Sequence, residues 1–146
     1  MKRLLVAVVL ALPVGVMALE RTPMGDARQN YTLFCAGCHA ETGRGIPHKV
    51  PRLNGRLSLY LGVEGGRDFI LRVPGVANSQ LDDARLAAVM NHVVARFAPE
   101  RSLGFRSFTP DEVHEARRRP LVGIEVERTR LLTAAGVDAA QIAAEY

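Results

Sequence analysis

Cys35-Ala36-Gly37-Cys38-His39 is a C-x-x-C-H motif in the first third of a 146-residue chain. Its two thiols are three positions apart, so on a helical turn they lie on the same face. Both can add to the vinyl groups along one edge of a porphyrin, while the imidazole that follows ligates the iron. The motif therefore predicts one covalently attached haem c, anchored by Cys35 and Cys38 and ligated by His39.

Two other kinds of site use a C-x-x-C pair. A thioredoxin-like redox pair follows a strand in a βαβ unit, whereas the residues before Cys35 have a helical pattern. A zinc site needs a second pair of suitably spaced ligands, and the chain has only two cysteines. The motif and its context favour haem attachment over both alternatives.

The segment at residues 1–18 has the layout of a secretory signal peptide. Lys2 and Arg3 precede an apolar run over residues 4–16, and Val16-Met17-Ala18 supplies a small-residue cleavage site. The run is short for a membrane span, and an uncleaved anchor is the alternative. Export to the periplasm is predicted, with membrane attachment only if the segment is retained.

Composition argues against a polyanionic partner. Removing residues 1–18 leaves a chain that is still long enough for one core. It also lowers the formal charge from +4 to +2, because Lys2 and Arg3 are lost. No nucleic-acid-binding motif is present, so nucleic acid is not expected as a partner.

A helix is predicted over residues 26–36, with the cysteines near its C-terminal end. Asp26 is a suitable N-cap, and Ala27, Tyr31 and Phe34 recur at helical spacing on one apolar face. The residues after His39 predict a loop rich in glycine and proline. These are Gly43, Gly45, Pro47, Pro51 and Gly55.

The run from Tyr31 to Gly55 resembles a small monohaem cytochrome c of the mitochondrial and bacterial type. The similarity lies in the aromatic residue four positions before Cys35, the C-x-x-C-H motif, Gly43-x-Gly45 and Pro51-x-Leu53-x-Gly55. It implies an all-α cytochrome c fold of three to five helices around one haem. It also implies that the Pro51 carbonyl accepts a hydrogen bond from His39 and fixes its tautomer. A plain loop proline is the alternative for Pro51.

Three further helices are predicted before residue 98. Two are short, over residues 57–62 and 67–73, and Pro74-Gly75 is expected to form a turn. The third covers residues 81–97, with Ser79 as its cap and Asp82 completing a capping box. It carries the strongest apolar stripe of the chain. The stripe consists of Leu86, Val89, Met90, Val93 and Phe97.

The sixth iron ligand is where the chain departs from the family. Electron carriers of this type supply a methionine from the loop before the last helix, but residues 73–80 contain neither methionine nor histidine. Met90 is the candidate sixth ligand, with a core-filling role as the alternative. Four residues are weaker candidates by position: His92, expected to pack between helices; His48, expected to be exposed; Met24; and His114.

Residues 99–146 are predicted to form a helical extension outside the resemblance. Thr109-Pro110-Asp111-Glu112 provides a cap, a proline at the first helical position and an acid at the third. The arginines at 117–119 suit the end of that helix, and a second helix is predicted over residues 123–135. Three roles stay open: a structural wrap around the haem domain, a docking surface for a dehydrogenase or oxidase, and delivery of His114 to the distal side.

The patterns together predict a signal peptide at 1–18, a haem domain at 19–98 and an extension at 99–146. The predicted protein is an exported electron carrier and not an enzyme, passing single electrons between partners such as a periplasmic dehydrogenase or oxidase. The alternative is a haem protein with an open distal position that binds nitric oxide, carbon monoxide or peroxide. The polar residues at 78–80 are poor proton shuttles, which favours binding over catalysis within that alternative.

Overall fold

The computed structural model describes residues 27–145. The predicted signal peptide, the Asp26 cap and Met24 lie outside the described residues. Within the described range, the regular elements are helices, and Ile46 and Val50 form one isolated antiparallel bridge. The all-α prediction is confirmed. The helices are α1 Ala27–Phe34, α2 Ala36–His39, α3 Leu57–Leu61, α4 Gly66–Arg72, α5 Pro74–Ala77, α6 Asp83–Phe97, α7 Pro99–Ser102, α8 Pro110–Arg117, α9 Ile124–Ala134 and α10 Ala139–Glu145.

The predicted first helix is divided at Cys35 into α1 and α2. Cys35 has φ of −123°, well outside the range of a regular α-helix. The backbone then resumes a single helical turn, in which the N–H of His39 donates to the carbonyl of Cys35 at 2.9 Å. The Tyr31 hydroxyl donates to the Ala40 carbonyl at 2.7 Å, which ties the end of α2 back to α1. The bend turns the motif away from the α1 axis.

Helix α6 is the centre of the core. All five residues of its predicted stripe are at most 6% exposed. The Tyr31 ring of α1 packs against the rings of Phe97 and His92, with centroids 5.6 and 6.1 Å away. The first and last helices of the predicted haem domain therefore cross through aromatic contacts, and His92 packs between them as expected.

The start of α6 and the segment before it differ from the sequence prediction. Asp82 caps the helix, since its Oδ1 accepts from the N–H of Arg85 at 2.8 Å. Ser79 is not the helix cap; its hydroxyl oxygen accepts from the N–H of Leu81 at 3.3 Å. Pro74 begins the single-turn helix α5 and not an open turn, because its fixed φ suits the first helical position.

The extension shares the core of the preceding residues. Thr109 and Glu112 form the predicted capping box at the start of α8. Before it, Asn91 of α6 holds the backbone of Phe108 from both sides, donating to its carbonyl at 3.0 Å and accepting from its N–H at 2.7 Å. The buried apolar residues of the extension are Phe108, Val113, Ala116, Leu131, Leu132, Val137 and Ile142. Helix α8 therefore packs on α4 and α6 as part of one core.

No helix among residues 27–145 combines the length and apolar character that crossing a membrane requires.

Candidate functional site

A cavity of about 450 Å³ lies against the C-x-x-C-H motif. Its walls come from α1 and the motif, from residues 49–53, from α3 to α6, and from α9 of the extension. Most of the side chains in these walls are apolar. The charged side chains are all cationic, since no aspartate or glutamate lines the cavity within the described residues; they are Lys49, Arg52 and Arg128.

Both cysteines lie in the cavity wall and neither forms a disulfide. Cys35 is half-buried and Cys38 is exposed. Burial, with a smaller effect from the neighbouring Cys38, raises the pKa of Cys35 to about 11. The Cys35 side chain is therefore a neutral thiol near neutral pH. The pair is placed to anchor one edge of a ligand that fills the cavity.

The imidazole of His39 is oriented by the loop that follows it. Its Nδ1 lies 3.1 Å from the carbonyl oxygen of Pro51, a contact in which the imidazole donates. A proton on Nδ1 leaves the lone pair of Nε2 available to a metal. Burial lowers the pKa of His39, and the bond to Pro51 partly offsets this effect. The neutral ring, which is the form that can bind a metal, is thus the favoured form.

The loop brings Pro51 back to His39 through backbone contacts. The N–H of Gly45 donates to the carbonyl of His39 at 3.1 Å, and the bridge between Ile46 and Val50 closes the loop. Gly45 has φ of +69°, and a Cβ there would collide with the carbonyl oxygens of Val50 and Pro51. Glycine at this position is what allows the carbonyl of Pro51 to face the histidine.

Another part of the cavity wall is built from α4, the segment at 73–76 and the middle of α6. Residues 73–76 are Val-Pro-Gly-Val and offer no side-chain donor to a metal. Met90 lines the cavity beside Val93 and is 6% exposed. It carries the only thioether among the described residues. The position is compatible with both roles that the sequence leaves open for it.

The three other candidate histidines lie outside the cavity wall. His92 packs on Tyr31, and its Nε2 is buried with no hydrogen-bond partner among residues 27–145. Burial and the nearby Arg96 and Arg28 lower the pKa of His92. His48 is exposed. His114 is 56% exposed and lies 3.1 Å from Asp83 at the surface, so the structure does not bring it to the cavity.

The cavity residues that sequence reasoning did not identify include Ile124 and Arg128 of α9. They are four positions apart and so lie on one face of the helix. This spacing is the only local sign that the two residues act together, and many pairs of residues on helices have the same spacing. What places them at the cavity is the long-range packing of α9.

The cavity fits a haem in its chemistry. Two thiols and a correctly oriented imidazole stand at one side, and the remaining wall is largely apolar, as most cofactor sites are. Lys49, Arg52 and Arg128 give the cavity lining a positive charge, which suits a ligand with two propionates. The donor set is therefore that of a covalently anchored haem with a histidine axial ligand.

Comparison with known proteins gives two relatives. One is a cytochrome c-552 of Thermus thermophilus, 34% identical, with 90% of this chain and 98% of that protein covered. The second, also a cytochrome c-552 of Thermus thermophilus, is 35% identical over 66% of this chain and 90% of that protein. The chain matches no protein-family model.

Proposed function

Because the chain belongs to the c-type cytochromes, a family of electron-transfer proteins with covalently bound haem c, we propose that it is an exported carrier of single electrons. Its partners would be periplasmic redox proteins, such as a dehydrogenase that supplies electrons or an oxidase that accepts them. The names of both relatives suggest a carrier rather than an enzyme, and they give no support to the ligand-binding alternative. The signal-like segment at 1–18 supports export.

One observation carries the proposed site: a histidine directly after two cysteines faces an apolar cavity, with its Nδ1 bonded to the Pro51 carbonyl. In this proposal Cys35 and Cys38 form the thioether links, His39 is the proximal ligand and Pro51 orients it. The bond to Pro51 stops the imidazole from rotating about its Cβ–Cγ bond. It also strengthens the histidine as a donor, since the N–H partner increases the basicity of the other nitrogen.

The chain supplies attachment, orientation and exclusion of water. Haem, when bound, supplies an iron that alternates between the ferrous and ferric states. The apolar walls from α3, α4 and α6 keep water away and so disfavour the additional charge of the oxidised site. Cys38 and Phe34 are exposed at the cavity wall, with Phe34 48% accessible. This edge of the site therefore reaches the surface, where electrons can pass to a partner without bond formation.

Met90 is proposed as the sixth ligand, on the ground that it is the thioether in the cavity wall. The test is the absorption spectrum of ferric and ferrous Met90→Leu with and without carbon monoxide. A low-spin spectrum in the native protein and a high-spin spectrum that responds to carbon monoxide in Met90→Leu are expected. The matched control is Leu86→Met, a substitution of similar volume at a buried α6 residue outside the cavity wall. Identical native and Met90→Leu spectra would assign Met90 to packing alone.

Redox titration tests the carrier function. A carrier with one haem gives one reversible step with a slope of about 59 mV per decade. Periplasmic and cytoplasmic fractions analysed by mass spectrometry test export, which predicts a haem-bearing chain that begins at Leu19. An irreversible titration, or a haem-bearing chain confined to the cytoplasm, would contradict the proposal.

A further inference from the structure

The segment at residues 73–80 lies over the cavity, and both of its ends are bonded to the same turn of the extension. Val73 to Val76 contribute to the cavity wall. The segment follows Arg72 at the end of α4 and leads into α6. The turn that it contacts, at residues 117–120, ends α8 and lies much further along the chain. We call residues 117–120 the clamp.

Arg117 holds the C-terminal end of the segment. Its Nη2 donates to the carbonyls of Ser79 and Leu81 at 2.9 and 2.7 Å. Its Nη1 donates to Oδ1 of Asp83 at 2.6 Å. The side chain is 22% exposed, so these charge-assisted bonds are partly shielded from water. One arginine thus fixes two consecutive stretches of backbone, the end of the segment and the approach to α6.

At the N-terminal end of the segment the direction of the hydrogen bonds is reversed. Here Arg72 is the donor and backbone carbonyls of the clamp are the acceptors. Nε of Arg72 donates to the carbonyl of Arg119 at 2.7 Å, and Nη2 donates to that of Pro120 at 3.3 Å. Asp68 adds an ionic link, because it accepts from Arg72 at 2.9 Å and from Arg119 at 2.5 Å. The clamp therefore has two arms, the bonds of Arg117 and the bonds of Arg72. They use different donors and lie at opposite ends of the segment.

The segment itself is held mainly from outside. Its backbone bonds run within it, for example from the N–H of Val76 to the carbonyl of Val73 at 2.9 Å and from that of Asn78 to Pro74 at 3.0 Å. Such local bonds keep the shape of the turn but do not attach it to α6 or α8. Pro74 and Gly75 are exposed, so burial adds little at the tip. Val73 and Val76 also pack against the core, and the hydrogen bonds and ion pairs at the two ends supply the polar part of the attachment.

We propose that Arg117 is a positioning residue that keeps the segment at 73–80 closed over the cavity and so limits the access of small neutral ligands to the haem iron. The inference depends on the proposed function, in which haem occupies this cavity. A small ligand reaches the cavity when the segment opens. The binding rate therefore follows the fraction of molecules in which the clamp is released.

The test is the rate of carbon monoxide binding to the ferrous protein, measured by stopped flow, for Arg117→Gln and Arg118→Gln. Both comparisons are made in a Met90→Leu background, so that displacement of a thioether does not limit the rate. Arg117→Gln is expected to bind carbon monoxide about tenfold faster, a change equivalent to about 1.4 kcal/mol. Arg118→Gln is the matched control, since Arg118 is the exposed neighbour of Arg117, and its rate should equal that of the background.

A second variant tests the other arm. Arg72→Gln removes the bonds to Arg119 and Pro120 and should accelerate binding in the same direction. Amide hydrogen exchange should also quicken at Val76 to Asn78 in both variants, while Val89 and Val93 in α6 stay protected. Equal rates of carbon monoxide binding in all variants would overturn the proposal that Arg117 limits access to the iron. Failure of the proposed function is separate, because a chain without covalent haem would show no ferrous haem spectrum in any variant.

Discussion

The two sides of the cavity are built by different means. Residues 35–53 place the thiols and His39 through bonds within one short stretch, such as those from Gly45 to His39 at 3.1 Å and from Leu53 to Gly43 at 2.7 Å. The segment at 73–80 has neither methionine nor histidine and is attached through Arg117 and Arg72 to a turn of the extension. The thiols and His39 are therefore positioned by local bonds, whereas the wall formed by the segment at 73–80 depends on tertiary packing. Substitutions on the two sides should have different consequences.

The largest effect is expected from replacing both cysteines with alanine. Without Cys35 and Cys38 no thioether can form, so haem should be lost completely when the protein is denatured. Haem staining of a denaturing gel measures this directly. Leu86→Met is the control and should retain the stain, because Leu86 is buried away from the cavity wall. Haem that stayed with the denatured double variant would show that the attachment lies elsewhere.

Glycine-to-alanine substitutions show how tightly the backbone is packed on each side of the cavity. Gly45→Ala should lower the free energy of unfolding by about 3 kcal/mol or more, since it combines a left-handed backbone, about 1–2 kcal/mol, with collisions against Val50 and Pro51. Gly55 has φ of +70°, and a Cβ there would have nothing within 4 Å. Gly55→Ala therefore measures the free-energy cost of the left-handed backbone alone. Gly75→Ala in the segment at 73–80 has neither feature and should be close to neutral. Denaturant unfolding of the three variants gives the values.

The ferric absorption spectra of the same glycine variants test whether the loop also controls His39. In Gly45→Ala the Pro51 carbonyl has to move away from His39, so the ferric spectrum should change as well as the stability. Gly55→Ala should leave the spectrum unaltered. If Gly45→Ala were no less stable than Gly55→Ala, the close packing of the loop against Pro51 would be incorrect.

A smaller effect is expected where the extension joins α4. Arg67 and Arg106 hold Glu112 between them, at 2.9 and 2.8 Å, and together with the Thr109 cap they lower the pKa of Glu112 from 4.5 to about 2. A lowered carboxyl pKa stabilises the fold above pH 4.5, and that stabilisation is lost as the pH falls towards 2. Glu112→Gln keeps a capping-box residue but removes the charge. We expect it to cost about 1–2 kcal/mol at pH 7, because the carboxylate is 26% exposed.

Thermal unfolding of native protein and Glu112→Gln as a function of pH tests this ion pair. The difference in melting temperature should be constant from pH 7 to about 5 and should be largely gone near pH 2. Glu115→Gln, at an exposed position on the same helix, is the control and should show no such trend. A difference that stayed the same at pH 2 would mean that the charge of Glu112 contributes nothing.

Local patterns predicted the local features of the molecule. The α8 capping box and the buried stripe of α6 involve residues that are close in sequence or that share a helical face. The contact between His39 and Pro51 was instead implied by the resemblance to small cytochromes c. Ser79 was the wrong cap because Asp82, three positions later, offers a carboxylate to the N–H of Arg85. The contribution of Ile124 to the cavity could not be predicted, since it requires α9 of the extension to pack on α3, which lies far from it along the chain.

The smallest effect is expected from His114→Gln, which tests the idea that the extension brings a histidine to the iron. His114 Nδ1 lies 3.1 Å from Asp83, but the histidine is 56% exposed, and surface pairs of this kind contribute about 0–1 kcal/mol. Asp83 also keeps its bond to Arg117 at 2.6 Å in the variant. The melting temperature should therefore change by a few degrees at most, and the ferric and ferrous spectra should not change. A spectral shift in His114→Gln without one in Met90→Leu would indicate that His114, and not Met90, is the sixth ligand. An effect on stability alone would leave the extension as the part of the chain that closes the cavity without ligating its iron.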